Sequence, residues 1–344
     1  MENLFGLTLE DLEKIVIDEF KEPKFRAKQI FKWLYSSYVK NIDEMTNLSL
    51  SLRDKLKSKY YISHLQLEKK FVEKGSNTTK FLLKTEDDIL IESVLLTYEA
   101  GSTLCVSTQA GCRMGCVFCE SGKCGLLRNL TKGEILNEIY LVNEIEDIKV
   151  SNIVLMGSGE PLDNYDEVIG FLKLVMDKDT LNMSKRSITL STCGLKDKIY
   201  LLADSGLDIN LALSLHAPFH EMRESMMPVE RANNIDDVLQ ATFYYRFKTG
   251  RRITYEYCLI EGKNDTIECI EKLYELFKDT DGLINVIGVN DNSQKKVDDK
   301  YIHVFVNKLR KKGINVTLRR RLGSSINAAC GQLRSRYLNK EVQR

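Results

Sequence analysis

The chain has 344 residues, with 50 lysines and arginines, 49 aspartates and glutamates, and nine cysteines. Hydrophobic residues at 43% and charged residues at 29% exclude a collagen-like or broadly disordered chain, and the length predicts one large domain plus a smaller one. No uncharged apolar run approaches the roughly 18 residues that span a bilayer. The acidic N-terminus shows no signal peptide, so we expect a cytoplasmic protein without a membrane segment.

Charge is unevenly distributed along the chain. Residues 293–344 hold 14 lysines and arginines against three acidic residues, a net charge of +11, whereas the rest of the chain sums to −10. A basic C-terminal segment is typical of proteins that bind a polyanion such as nucleic acid. A solvated helix face would carry the same charge, so charge alone leaves both interpretations open.

The first 60 residues have a helical pattern. Thr8 with Asp11 resembles a capping box that opens the first helix. A second helix after Pro23 is basic on one face, which indicates either a nucleic-acid surface or a solvated face. Its apolar stripe consists of Ile30, Trp33 and Leu34. Residues 65–97 alternate like strands, with a turn at residues 74–77.

From about residue 103, short β-like runs alternate with helical patterns. The runs are TLCVSTQ, SNIVLMG, SITLST, INLALSLH, ITYEYCLI and INVIGV. In one later helix Ile267, Ile270, Leu273 and Phe277 lie on one face, and a further helix carries Val304, Phe305 and Leu309. Gly313 and INVTLR complete a final unit. The alternation predicts an α/β fold with a parallel sheet, arranged as a barrel or partial barrel whose active site lies at the carboxyl ends of the strands.

Three cysteines follow the first strand of this series. Cys112, Cys116 and Cys119 are spaced C-x3-C-x2-C among glycines. Thiolates are soft ligands suited to iron–sulfur clusters or zinc, and three of them leave a metal position open for chemistry. With Cys124 as a fourth ligand, the alternative is a closed structural zinc site, although this spacing is unusual for zinc.

The cysteine spacing resembles that of the radical S-adenosylmethionine (SAM) superfamily. The resemblance implies a [4Fe-4S] cluster held by the three cysteines, with SAM on the fourth iron. Further segments, spread from about residue 8 to residue 338, resemble the RlmN/Cfr family of radical SAM RNA methyltransferases. They are IESVLL, LCVSTQAGC, RNLTKGEI, VLMGSGEPLDN, ITLSTCGL, ALSLHAP and INAACGQLR.

The family resemblance implies a partial (β/α)6 TIM-like radical SAM barrel with a small N-terminal helical accessory domain and a short β extension. We therefore divide the chain into four parts. They are the accessory domain (1–60), the β extension (61–98), the barrel core (99–323) and a C-terminal segment (324–344) that carries a methyl-acceptor cysteine.

The resemblance also implies SAM-binding residues. Gly159 and Glu160 lie in the segment MGSGEPL, and a carboxylate suits the amino group of SAM; without the resemblance this is a turn with a solvated glutamate. The other implied SAM contacts are Ser191, Ser214, Leu215, His216 and Asn290. The chain departs from the family pattern at Ser158, where methionine is usual, and after Asn290, where proline is common.

Three catalytic residues are implied in the same way. Cys330 takes a methyl group from one SAM, and a second SAM activates that group for addition to adenine. Glu92 then accepts the proton from the ring carbon, and Cys105 releases the product through a transient disulfide with Cys330. Read without the resemblance, Cys105 and Cys330 are packed thiols and Glu92 is an exposed strand carboxylate. We expect packing roles for Cys124, Cys193, Cys258 and Cys269.

The implied substrate is C2 of adenine 2503 in 23S rRNA, with C2 of adenine 37 in tRNA as a second substrate of some members. The sequence GEP favours C2, since Cfr-type enzymes, which methylate C8 of the rRNA adenine, tend to have GEA. Two further interpretations stay open, namely a radical SAM enzyme of another type, such as a glycyl-radical activase, and a non-catalytic metal-containing RNA-binding module.

The implied partners are RNA, an electron donor such as flavodoxin or ferredoxin, and no membrane, and we expect a monomer. Basic residues near Cys330 are the candidates for contacts with RNA phosphates. They are Arg319, Arg320, Arg321, Arg334 and Arg336.

Overall fold

The computed structural model describes residues 1–123, 125–288 and 299–319 together with Gly323, Ile326 and Ala328. The strands of these residues are β1 (Glu2–Asn3), β2 (Tyr60–Tyr61), β3 (Gln66–Val72), β4 (Thr78–Lys84), β5 (Leu90–Tyr98), β6 (Gly101–Cys105), β7 (Gln109–Cys112), β8 (Gly125–Asn129), β9 (Asn152–Leu155), β10 (Ile188–Thr192), β11 (Asn210–Ser214), β12 (Thr254–Leu259), β13 (Leu283–Gly288) and β14 (Val316–Leu318).

The α-helices are α1 (Leu9–Lys14), α2 (Phe25–Tyr35), α3 (Leu50–Lys59), α4 (Glu120–Lys123), α5 (Lys132–Glu146), α6 (Tyr165–Met176), α7 (Lys196–Asp204), α8 (His220–Met226), α9 (Ile235–Thr249), α10 (Ile267–Phe277) and α11 (Asp299–Lys311). A π-helical turn (Ile15–Glu19) extends α1, and 3₁₀ turns occur at Ile42–Glu44, Pro161–Asn164, Lys185–Ser187 and Pro228–Arg231.

One ten-stranded sheet organises the chain, in the order β14-β13-β12-β11-β10-β9-β6-β5-β4-β3. β6 and β9 to β14 are parallel neighbours, whereas β3 to β6 form an antiparallel meander. The parallel series with its intervening helices confirms the predicted partial α/β barrel. The meander confirms the predicted strands of residues 65–97 and places them on the same sheet as the barrel strands.

Parallel strands covered on both faces read as continuous apolar runs, and β11 is an example, with Leu211, Ala212 and Leu213 all buried. Two apolar residues of the later helices are exposed. Ile267 is 55% exposed because it is the first residue of α10, and the buried residues of this helix begin only at Cys269. Val304 is 53% exposed because it lies on the side of α11 opposite the buried Phe305 and Leu309 side chains.

The N-terminal helices pack on the rest of the protein through aromatic residues, since the hydroxyl of Tyr140 in α5 donates to the Tyr35 carbonyl of α2 at 2.8 Å. The predicted capping box is confirmed, since the Thr8 hydroxyl accepts from the Asp11 amide and the Asp11 carboxylate accepts from the Thr8 amide. The buried Tyr35 hydroxyl accepts from the Gly6 amide at 2.9 Å and donates to the Leu7 carbonyl at 2.7 Å. Within the described part of the chain, no helix is long and apolar enough to span a bilayer.

Candidate active site

A cavity lies at the carboxyl ends of the parallel strands, where barrel folds place their active sites. Its walls come from the residues that end or follow β9 to β13 and from the loop after β7. The lining residues include Cys112, Cys116, Cys119, Met156, Gly157, Gly159, Glu160, Ser191, Thr192, Cys193, Ser214, His216, Met227, Glu256, Cys258, Ile287, Gly288 and Arg319. The structure therefore brings together all three predicted metal ligands and five of the predicted SAM-binding residues.

The three cysteines belong to a loop that is held at both ends. Cys112 ends β7, which pairs antiparallel with β8, so the hairpin fixes the base of the loop. The Cys119 amide donates to the Cys116 carbonyl at 3.1 Å, which turns the backbone between these two ligands. At the middle of the loop, the Val117 amide donates to the carbonyl of Met226, at the end of α8, at 3.0 Å.

The donor set fits an iron–sulfur cluster. Burial raises the pKa of Cys112 to about 12 and also raises the pKa values of Cys116 and Cys119. The thiols therefore need a nearby metal cation to become thiolates. Among the described residues, no three His, Cys, Asp or Glu side chains are close enough to hold one metal ion. Cys112, Cys116 and Cys119 would hold a [4Fe-4S] cluster, whose thiolate ligands need not reach one shared metal ion.

Glu160 presents a buried carboxylate to the same cavity. Its Oε1 accepts from the Leu162 amide at 3.0 Å and its Oε2 from the Cys193 amide at 2.7 Å. Burial raises its pKa, so a cationic amino group in the cavity would be a favourable partner. Gly159 has φ +108°, and a Cβ there would lie 2.6 Å from the Gln109 Cβ, so only glycine fits beside Glu160.

His216 lines the cavity as a neutral ring. Its Nδ1 accepts from the Cys258 amide at 3.0 Å, and burial lowers its pKa to about 3, so the proton is on Nε2. Its φ of 55° is left-handed, and Asn264 Nδ2 holds its carbonyl at 2.7 Å. The ring packs edge-on against Phe118 of the cysteine loop, with 4.7 Å between centroids.

Leu215 is the one described SAM-binding candidate that does not line the cavity. Its side chain is buried in the core, its amide donates to the Glu256 carbonyl at 3.0 Å, and its carbonyl accepts from Arg223. Ser191 and Ser214 contribute directly to the cavity wall.

Glu92 and Cys105 lie beside the cavity rather than in its wall. Cys105 packs in a small cluster with Val94 and Ala328, and this cluster contacts Met156, which lines the cavity. Glu92 is on the same face of β5 as Val94, because side chains alternate along a strand. It is 3% exposed rather than an exposed strand carboxylate, and its Oε1 lies 3.1 Å from Lys80 Nζ.

Several predicted residues lie outside the described ones, namely Asn290, Cys330, Cys124, Arg320, Arg321, Arg334 and Arg336. The described residues nearest Cys330 in sequence approach the meander. Gly323 donates its amide to Glu73 Oε2 at 2.9 Å, and Ala328 packs with Cys105. The described cysteines form no disulfide with one another.

Among the cavity residues that the sequence did not predict to line it are two charged side chains and two cysteines. Glu256 Oε1 accepts from Asn285 Nδ2 at 3.0 Å, and its Oε2 lies 3.7 Å from Arg319 Nη1, so Arg319 points into the cavity. The glutamate within the otherwise apolar strand ITYEYCLI could have indicated that Glu256 lines a polar cavity. Cys193 and Cys258 also line the cavity, so the expectation of packing alone is incomplete for them, whereas Cys269 is fully buried.

Comparisons with known proteins agree with this geometry. The sequence profile "Ribosomal RNA large subunit methyltransferase N-terminal domain" matches residues 2–62, and "Radical SAM superfamily" matches residues 106–300. The chain is 48% identical over 341 residues to a probable dual-specificity RNA methyltransferase RlmN of Clostridium novyi, covering 98% of this chain and 99% of that one. The corresponding protein of Alkaliphilus oremlandii is 48% identical over 339 residues, covering 98% of both chains.

A solved radical SAM methyltransferase from Sphaerobacter thermophilus has 36% sequence identity and a TM-score of 0.89, with 97% of this chain and 99% of that chain covered. These similarities extend over nearly the whole chain and include both its N-terminal helices and its barrel. The chain therefore belongs to the RlmN family of SAM-dependent RNA methyltransferases within the radical SAM superfamily.

Proposed function

We propose that this enzyme methylates C2 of adenine 2503 in 23S rRNA, and C2 of adenine 37 in tRNA as its second substrate. The observation that carries the proposal is the cavity, which gathers three thiols, a buried carboxylate and a neutral histidine at the strand ends. The names of the similar proteins, probable dual-specificity RNA methyltransferases, support two RNA substrates. Family membership argues against the non-catalytic RNA-binding module and against a glycyl-radical activase.

In this proposal Cys112, Cys116 and Cys119 hold a [4Fe-4S] cluster. When bound, the cluster and SAM supply the one-electron chemistry that activates a methyl group. Glu160 binds the amino group of SAM, since its charge is buried and points into the cavity. The predicted contacts of Ser191, Ser214, His216 and Asn290 to SAM remain part of the proposal, as does a backbone contact from Leu215.

The methyl group travels on the protein. Cys330 accepts it from a first SAM. A second SAM would supply the radical that removes one hydrogen atom from this S-methyl group, and the resulting carbon radical bonds to adenine. Glu92 takes the ring proton, and the one electron left over from the radical addition would return to the cluster that supplied it. The Cys105 thiolate then forms a disulfide with Cys330 as the bond between Cys330 sulfur and the RNA-linked methylene carbon breaks. The electron pair of that bond stays on the carbon, which takes a proton and becomes the methyl group of the product. A cellular thiol then reduces the disulfide. The packing of Ala328 against Cys105 supports this pairing.

Nucleoside mass spectrometry tests the substrate. Ribosomal RNA and tRNA from a deletion strain should lack 2-methyladenosine, and expression of this chain should restore it. Recovery of only 8-methyladenosine would favour the Cfr-type alternative. Purified protein with zinc and without iron or sulfide would contradict the proposed cluster.

Cysteine variants test the mechanism. Cys330→Ala should abolish methylation without loss of cluster iron, and Cys105→Ala should accumulate RNA crosslinked to protein. Cys269→Ala is the control, because Cys269 is buried in α10 and does not line the cavity. Full methylation by Cys330→Ala would contradict the mechanism.

The remaining expectations belong to the same proposal. They are an external electron donor such as flavodoxin or ferredoxin, a monomeric enzyme in the cytoplasm, and the four-part division at residues 60, 98 and 323.

A further inference from the structure

A fully buried arginine lies behind the cavity wall. Arg223 is on α8 and has no exposed surface. Its Nε donates to the Leu215 carbonyl at 3.2 Å, and its Nη2 donates to the carbonyls of Cys193 at 2.6 Å and Ser214 at 3.1 Å. These three carbonyls follow or end β10 and β11, at the edge of the sheet where Ser191 and Ser214 line the cavity.

The charge of Arg223 is balanced by one equally buried partner. Glu230, in the 3₁₀ turn after α8, also has no exposed surface, and its Oε2 accepts from Arg223 Nη1. Its Oε1 accepts from the Ile235 amide at 2.7 Å and from His220 Nδ1 at 2.9 Å. A planar guanidinium offers donors in several fixed directions, so Arg223 can hold three peptide groups and a carboxylate in one arrangement.

The same helix also holds the cysteine loop. The Met226 carbonyl accepts from the Val117 amide at 3.0 Å, between two predicted cluster ligands. The next residue, Met227, is fully buried and lines the cavity. Residues 220–231 therefore contact both the strand ends on one side of the cavity and the cysteine loop on the other.

We infer that Arg223 is a positioning residue for SAM: it fixes the peptide groups at the ends of β10 and β11 against which SAM binds, while α8 sets their distance from the cysteine loop. The inference rests on the proposed SAM site. Arg223 itself does not line the cavity, so it acts through Cys193, Ser214 and Leu215. Removing the Arg223 side chain should raise the dissociation constant of SAM even in a protein that stays folded.

Three variants separate positioning from simple stability. Arg223→Met alone leaves a buried glutamate without its cation, and such a protein is expected to unfold readily. The double variant Arg223→Met/Glu230→Gln removes both charges, and the glutamine can still accept from the Ile235 amide. Arg223→Lys keeps the positive charge but lacks the planar guanidinium group and its several fixed donors. The control is Arg231→Met, which removes a surface ion pair between Arg231 and Glu224 on the same segment.

The readouts are the dissociation constant of SAM by equilibrium dialysis, the iron content of reconstituted protein, and the thermal unfolding of protein without its cluster. Adding SAM should change the electron paramagnetic resonance signal of the reduced cluster in the parent. We expect the double variant and Arg223→Lys to retain iron and to bind SAM about tenfold more weakly, as the loss of one well-placed hydrogen bond predicts. The spectral response to SAM should weaken in parallel, and Arg231→Met should match the parent.

Two results would overturn the inference. One is a double variant with full iron content whose SAM affinity lies within twofold of the parent. The other is Arg223→Lys with unchanged affinity and an unchanged spectral response, which decides the matter even if the double variant does not fold. A parent protein that holds no iron and binds no SAM would instead refute the proposed function.

Discussion

Gly157 offers a quantitative test of how closely two strand ends meet beneath the cavity. A Cβ at this position would lie 2.5 Å from the Val106 carbonyl oxygen, 2.7 Å from the Val106 carbonyl carbon and 2.8 Å from the Ser107 nitrogen. All three atoms belong to the backbone, so no side-chain rotation relieves the contact. Ordinary contacts between such atoms are roughly 3.5 Å, so Gly157→Ala must move the strand ends apart by about 1 Å.

The cost has two parts. Overpacking a well-packed site costs about 1–3 kcal/mol. The displacement also weakens the hydrogen bond from the Gly157 amide to the Val106 carbonyl, which is 3.0 Å long and contributes about 1 kcal/mol. The free energy of unfolding should therefore fall by about 3 kcal/mol. An unfolding entropy of roughly 2.1 cal/mol/K per residue over this chain converts that loss to about 4 °C in Tm.

Thermal unfolding followed by circular dichroism measures this loss, with Gly170→Ala as the matched control. Gly170 lies inside α6, and a Cβ there would meet only the flexible Lys132 side chain, at 2.9 Å from its Cδ. Alanine is favoured over glycine in a helix by up to about 1 kcal/mol, so the control should melt at the parent temperature or slightly above it. A Gly157→Ala protein that melts within about 1 °C of the parent would refute the close approach of β6 and β9.

Two buried titratable groups give predictions about pH. Burial lowers the pKa of His64 to about 4, so between about pH 4 and 6.5 the unfolded chain binds a proton that the folded protein does not. When the pH is lowered from 7 to 5, the free energy of unfolding of the parent should therefore fall by about 1–2 kcal/mol more than that of His64→Gln. Urea denaturation at the two pH values measures this difference, and an equal fall in both proteins would contradict the prediction. Glu138 is fully buried, accepts from Ser93 Oγ at 2.5 Å, and has a pKa raised well above its ordinary value by burial. The folded protein thus keeps a proton that the unfolded chain releases above about pH 4.5. Glu138→Gln should gain thermal stability relative to the parent as pH rises from 5 to 8, and a constant difference in Tm would count against the assignment.

The sequence was most informative about reactive side chains that directly follow predicted strands. Cys112, Cys116, Cys119 and Glu160 all come shortly after strands, and the carboxyl ends of parallel strands meet at one edge of a sheet. Their meeting in one cavity was therefore predictable.

The Arg223–Glu230 pair was not predictable in this way. The segment HEMRESMMPVER is indistinguishable from a solvated polar helix, because the burial of Arg223 depends on carbonyls that come from two distant strands. Ile267 fits the apolar period of α10, yet it lies beyond the packed part of the helix. Local pattern therefore identified the elements and the three cysteines that follow a strand, and tertiary contacts decided which charges are buried.

The bond between Val117 and Met226 also has a consequence for the order in which the enzyme becomes complete. Chains are made from the N-terminus, and domains generally fold as units. The cysteine loop therefore leaves the ribosome before residues 220–231. These later residues bond to the middle of the loop through Met226 and to the ends of β10 and β11 through Arg223. A nascent chain that ends before α8 contains all three cysteines but lacks the Met226 carbonyl that bonds to their loop. Insertion of the iron–sulfur cluster is accordingly expected to follow synthesis of α8, so that metal loading is a late step in the maturation of this enzyme.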